Sequence, residues 1–370
     1  MVRKGLEGVE VDVTAIALVD GENGQLSYRG LPIAELVGWP FTRVVWLVLR
    51  GAPPSAEELA AFDTALLETG RLSSADERLV DVAAATHEHA MHVLQGTTPL
   101  LDTGDAGTFA ALGFPKDAAP GLVIAAKLPC VLARTLGART NASASGVSAS
   151  ADPIVRFLEA TAARAPSRAL VEAFRVTQIL QIEHGFNAGT FASRVVASTL
   201  APISNAIAAG FGALHGPLHG GADQAALEMA DAVGAPENAA RFVDDSLANG
   251  RKIMGMGHRE YKVLDPRARF VKDLARELSS GTPLARTFAT LEAIEARFRE
   301  RMLERGKSLY ANLEFYKGVV YRAAGLGPEY FTATFALARV YGYIAHFIES
   351  RADNRLIRPS ARYIGPPVAA

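Results

Sequence analysis

From Ser55 onward, apolar residues recur at intervals of three and four, and no series of β-branched runs alternates with these stretches as a parallel sheet would require. Ser55 with Glu58 forms a capping box, and Leu59, Phe62 and Leu66 share one face. Gly70 is expected to stop that helix in a left-handed conformation. A later helix is expected to open at Thr282 and Pro283, to bury Leu284, Phe288, Leu291, Ile294, Phe298 and Met302, and to end at Gly306. The exception lies near the start, where Val9, Val11 and Val13 alternate with Glu10, Asp12 and Thr14. A Gly/Asn-rich turn at Asp20 to Gly24 and the stretch Gln25 to Tyr28 follow, which reads as a small β-hairpin. The fold class is therefore mainly α with a small N-terminal hairpin, and the small polar stretch 139–152 is expected to be an exposed loop.

The length of 370 residues exceeds one ordinary domain of about 150. Lys and Arg number 38 against 39 Asp and Glu, so nothing in the overall charge points to nucleic acid or an anionic membrane, and any anion site has to be local. A single Cys130 excludes an internal disulfide and fits a reducing cytoplasm. No apolar run of 18 or more residues appears, which disfavours a membrane span, and the start lacks the pattern of a secretion signal. Phosphate-loop, dinucleotide and serine-hydrolase motifs are missing. The run His87-Glu88-His89-Ala90-Met91-His92 fails the HExxH spacing because Met91 holds the second histidine position, so no metal site is expected.

Chemistry concentrates elsewhere. His219 sits in Gly216-Pro217-Leu218-His219-Gly220-Gly221 and His258 in Met254-Gly255-Met256-Gly257-His258-Arg259, and glycines beside a histidine let a ligand approach the backbone closely. Around His258 stand Arg251, Lys252, Arg259, Lys262, Arg267 and Arg269, opposed only by Glu260 and Asp265. The C-terminal end adds Arg339, Arg351, Arg355, Arg358 and Arg362. Histidines with arginines in this pattern suit a small anion, because the planar guanidinium donates two parallel hydrogen bonds to a carboxylate.

The runs GPLHGGADQAA (216–226), IMGMGHREYKVLDPRAR (253–269), NLEFYKGVVYRAAG (312–325) and FALARVYGYIAHFIE (335–349) resemble the citrate synthase family in order and spacing, as does the opening segment 5–30. The resemblance implies a helical homodimer with a large domain (1–220 plus 320–370), a small mobile domain (221–319) and a cleft between them. It implies condensation of acetyl-CoA with oxaloacetate followed by thioester hydrolysis, with no cofactor beyond the acyl-CoA substrate. By the same resemblance, His219 stabilises the enolate, His258 polarises the oxaloacetate carbonyl and Glu314 is the base. His184, Arg267, Arg339 and Arg358 bind oxaloacetate, with Arg358 reaching in from the partner subunit. Arg259, Lys262 and, more weakly, Lys317 are the candidates for CoA.

Three positions depart from the family pattern: Glu314 replaces an aspartate, Gly185 the acidic residue after His184, and Asp223 an asparagine. Two alternatives therefore stand beside citrate synthesis. One is 2-methylcitrate synthesis from propionyl-CoA, and the other is a weakly active or regulatory relative. Glu314→Asp is expected to preserve or raise turnover.

Overall fold

The computed structural model describes residues 4–6, 8–87, 89–140, 150–161 and 165–366, so Glu88 and most of the 139–152 stretch lie outside the described residues. Helices dominate. The capping box at Ser55 forms as expected, with Glu58 N donating to Ser55 Oγ at 3.1 Å and Ser55 N to a Glu58 carboxylate oxygen at 2.7 Å, and it opens the helix Ala56–Thr69. Gly70 departs from expectation. It is right-handed, at φ −75°, and what demands glycine is space, since a Cβ there would lie 2.7 Å from Leu66 O and 2.8 Å from Ala126 O. The helix Leu284–Glu304 buries the predicted stripe from Phe288 to Met302 and leaves Leu284 half-buried, and Lys307 N turns back to Met302 O at 2.9 Å past Gly306.

The hairpin exists but is displaced. Its strands are Ala17–Asp20 and Gln25–Tyr28, paired antiparallel with Ala17 opposite Tyr28, and Leu31–Pro32 adds a short third strand. Val9 to Thr14 forms no strand and Val13 is exposed, because alternation without a partner to accept its hydrogen bonds does not make a ladder. Asp12 from this segment pairs instead with the buried Arg194, which also meets Glu349 and the ring of His346.

Two long helices, Ala119–Thr140 and Phe331–Ala352, pack together and run through the core, with Ala188–Ser198 and Ile203–His215 against the second. The segment Ala119–Ala138 has the length and apolar character of a membrane span, yet 67% of it is buried in the fold. Within it, Lys127 is buried and bonds to Asp76 at 2.7 Å and to Asp102 O at 2.5 Å, which marks a core helix. A second group of helices packs on itself: Ala222–Val233, Ala239–Ala248, Ala268–Ser279, Leu284–Glu304 and Leu313–Ala323. Their junction with the core helices brings together the residues singled out by chemistry.

Candidate active site

The His258 loop is built by pairing with the entry to the helix Leu313–Ala323. Gly257 N donates to Tyr310 O at 2.8 Å, Asn312 N to Gly255 O at 2.9 Å and Asn312 Nδ2 to Gly257 O at 2.8 Å. Gly255 lies at φ +75° with Phe315 packed where a Cβ would stand, so a side chain there would both strain the turn and collide. Asn312 also caps the helix, accepting from Glu314 N at 2.9 Å, and Asp265 accepts from Leu313 N at 3.1 Å. His258 and Glu314 are thus carried on one hydrogen-bonded unit.

Within that unit His258 has a defined tautomer. Its Nδ1 accepts from Glu260 N at 3.1 Å and from Tyr261 N at 3.3 Å, so in the neutral ring the proton resides on Nε2. Burial, followed by the nearby Arg267 cation, pushes the ring down to about 4, which keeps it neutral at ordinary pH. Arg267 Nη2 lies 3.4 Å from that same Nε2. Two donors converging on one place call for an acceptor between them, which a keto or carboxylate oxygen supplies. Arg267 is itself buried and held by Asp265 through Nε at 3.0 Å and Nη2 at 2.9 Å.

The ring of His184 lies 5.3 Å from that of His258, centroid to centroid, and its Nε2 shares a hydrogen bond with Tyr261 Oη at 3.0 Å. Burial, then Arg267, His258, Arg339 and His219, lower its proton affinity well below the usual value. His219 is lowered to about 4 by burial and then by Arg339. Its Nδ1 stands 3.4 Å from Ala213 O, a contact too long to fix the ring's tautomer. Arg339 donates Nε to Gln181 O at 2.8 Å. The charge of Glu314 acts on His219, His258 and Arg267, so all three face the same space as this carboxylate. His184, His219, His258, Arg267, Arg339 and Glu314 therefore share one cleft.

Three other candidates are placed differently. Arg259 and Lys262 are exposed beside His258, and Lys262 lines a small recess together with Leu309, Tyr310 and Asn312. Lys317 is a correction: it is fully buried and paired with Glu314 and Asp223, so it cannot reach the phosphates of CoA as the sequence reading had it. Arg358 is exposed on the segment after the last helix, and no hydrogen bond or ion pair among the described residues joins it to the cleft.

Sequence reasoning missed Tyr261, Asp265 in its double role, and the Asp223–Lys317 pair. The motif around His258 contains the first two, but nothing in a string of letters says that an aromatic ring or an acid there turns inward. One of the departures, Gly185, and its neighbour Glu183 also have structural explanations. Gly185 takes a φ of +61°, where an acidic side chain would be strained, and Glu183 is spent inside the core on His346 Nε2 at 3.0 Å. Four further histidines, His87, His89, His92 and His215, gather together with ring centroids 4.4 to 6.2 Å apart, and His89 caps the helix Ala90–Thr97.

The chain is similar to known proteins over nearly its whole length. A family model described as "Citrate synthase, C-terminal domain" matches residues 5–360. The citrate synthase of Deinococcus radiodurans is 34% identical over 370 residues, covering 98% of this chain and 96% of its own. 2-Methylcitrate synthase 2 of Corynebacterium glutamicum is likewise 34% identical over 373 residues, covering 98% of this chain and 95% of the relative. A solved structure described as the ternary complex of carboxymethyl coenzyme A and oxaloacetate with citrate synthase from Thermoplasma acidophilum superposes with a TM-score of 0.89 at 28% identity, covering 100% of this chain and 98% of that one. With similarity to these proteins in sequence and fold over nearly its whole length, this chain belongs to the citrate synthase family.

Proposed function

We propose that this enzyme condenses acetyl-CoA with oxaloacetate to give citrate and CoA, working as a homodimer in the cytoplasm. The observation that carries the reading is the pairing of a neutral, Nε2-protonated His258 with Arg267, two donors aimed at one acceptor site. In the reaction, Glu314 removes a methyl proton from the thioester, and the electrons of that C–H bond pass into an enolate whose oxygen faces His219. A methyl group beside a thioester is a very weak acid, so the base needs a donor placed where the negative charge develops. The enolate carbon then attacks the keto carbon of oxaloacetate. His258 hydrogen-bonds the oxygen that becomes a hydroxyl and passes its Nε2 proton to it, and the proton that Glu314 took from the methyl group is returned through solvent to restore the neutral ring. Arg267 and Arg339 hold the carboxylates, with His184 fixed by Tyr261 beside them. Water finally cleaves the thioester, releasing the thiol of CoA.

Burial and the neighbouring cations keep these three imidazoles neutral, and a neutral ring still donates from the one nitrogen that carries its proton. The segment 221–319 is the mobile unit in this reading, and its closure over the dicarboxylate excludes water before proton abstraction. Arg259 and Lys262 meet the phosphates of CoA, and Arg358 completes the site of the partner subunit. Propionyl-CoA is the rival acyl donor. One methylene in a pocket is worth about 1 to 3 kcal/mol, so turnover of both thioesters with a preference for acetyl is expected. The test follows thiol release from each thioester with and without oxaloacetate and identifies the product by mass. Oxaloacetate-dependent citrate, formed from acetyl-CoA with the higher kcat/KM, supports the proposal. A preference for propionyl-CoA makes 2-methylcitrate the product, and no oxaloacetate-dependent thiol from either removes the synthase reading.

A further inference from the structure

Lys317 follows Glu314 by one turn of the helix Leu313–Ala323 and is fully buried. It is paired with the carboxylate of Glu314, with Asp223 at 3.1 Å, and with Gln181 Oε1 at 2.7 Å. Its ammonium stands 4.5 Å from the ring centroid of Phe335, and the guanidinium of Arg339 lies 4.8 Å from the same ring. Asp223 is fully buried as well, at the start of the helix Ala222–Val233. Buried charges persist when paired, and a lysine shared by two carboxylates satisfies that rule. One of those carboxylates, however, is the partly exposed Glu314 in the cleft, its side chain 18% exposed. The pair is therefore connected to the reacting centre.

We propose that Lys317 and Asp223 are positioning residues for the Glu314 base: Lys317 holds the longer carboxylate at a fixed reach, and Asp223 offsets the ammonium so that the carboxylate keeps its basicity. The proposal rests on Glu314 being the base. An ammonium in contact with a carboxylate lowers its proton affinity, typically by about 1 to 3 pH units, which weakens it as a base toward a carbon acid. A second carboxylate on the same ammonium brings the trio to the net charge of a lone carboxylate. Burial, working against the pull of Lys317, pushes Asp223 up to about 6.

The other groups facing Glu314 are His219 from the loop after Ile203–His215, Asp223 from Ala222–Val233, His258 and Arg267 from the segment before Ala268–Ser279, and Tyr321 on its own helix. Both histidines are neutral at working pH, and Arg267 is held by Asp265. Lys317 is left as the cation that most directly sets the base. Gln181 extends the connection, accepting from Lys317 with its side chain and from Arg339 with its backbone, so the base and a dicarboxylate ligand share one support.

The test compares kcat and KM across pH for the wild-type enzyme, Asp223→Asn, the double variant Asp223→Asn with Lys317→Met, and Glu314→Gln. Asp223→Asn leaves the ammonium facing Glu314 alone, so the acid limb of kcat is expected to move down by about one pH unit and plateau kcat to fall about tenfold. KM for oxaloacetate is expected to stay within about twofold, because the loss is in the base rather than in binding. The double variant removes both buried charges, so its acid limb is expected to return to the wild-type position while kcat stays low for want of the tether. Coincident acid limbs for the wild type and Asp223→Asn, or a loss in KM alone, would overturn the proposal. If the single variant does not fold, the double variant decides, since a wild-type kcat there would show that nothing holds Glu314 in place. Turnover by Glu314→Gln would instead overturn the base assignment itself.

Discussion

Shortening the base is the sharpest perturbation of this site. Glu314→Asp removes one carbon–carbon bond, which withdraws the carboxylate by about 1.5 Å. Lys317 cannot follow it, because the ammonium is fully buried and fixed by Asp223 at 3.1 Å and Gln181 at 2.7 Å. The shorter side chain must give up either the ammonium or its place beside the thioester. A misplacement of about 1 Å costs on the order of a hundredfold in a positioned reaction. Two decades correspond to about 2.7 kcal/mol of barrier. We therefore expect kcat to fall about a hundredfold with both KM values little changed, since the arginines and His258 are untouched. This reverses the expectation drawn from sequence, where the family's aspartate made Glu314→Asp look like a change that preserves or raises turnover. The assay is thiol release from acetyl-CoA at saturating oxaloacetate. A Glu314→Asp enzyme with wild-type or higher kcat would refute the reasoning, because it would show that the length of the side chain is not matched to Lys317.

Three further outcomes follow from the same geometry. His258 sits near 4 when folded against about 6.5 in the unfolded chain, so the unfolded state binds more protons, and this contribution to stability is present above pH 6.5 and lost as pH falls toward 4. Between pH 7 and pH 5 the loss is about 2 kcal/mol, which His258→Gln should abolish in urea unfolding, whereas equal losses in both proteins would contradict the assignment. Lys127→Met strands the buried Asp76 without its cation and should cost about 3 to 5 kcal/mol in the same assay, and a change below about 1 kcal/mol would show the pair to be dispensable. Mixing inactive Arg358→Ala with inactive His219→Ala protein should restore thiol release through hybrid dimers, and no recovery would place the whole site within one chain.

The helices were legible because their signals are local. A capping box at Ser55 and a stripe from Leu284 to Met302 depend on neighbours a few residues away, and both formed. The hairpin was read with its first strand too early, because alternation in Val9 to Val13 says nothing about a partner, while the tight turn at Gly21 to Gly24 joins Ala17–Asp20 to Gln25–Tyr28. Gly70 was read as a left-handed stop when the closeness of Ala126 is what requires it, a contact between distant parts of the chain. In the site, His219 and His258 stood out through their glycines. Lys317 was read as a surface cation, since lysine usually is one, and only the packing of Leu313–Ala323 against Ala222–Val233 and Gln181 shows it to be interior.

The claim on which the mechanism turns is that the carboxylate at position 314 takes the proton from the acyl carbon. Single-turnover reaction of acetyl-CoA with excess enzyme and oxaloacetate, with the product identified by mass, measures that step for wild-type and Glu314→Gln proteins side by side. The account predicts citrate from the wild type and unreacted acetyl-CoA from the variant, with oxaloacetate still bound. Citrate formed by Glu314→Gln at the wild-type rate would contradict it.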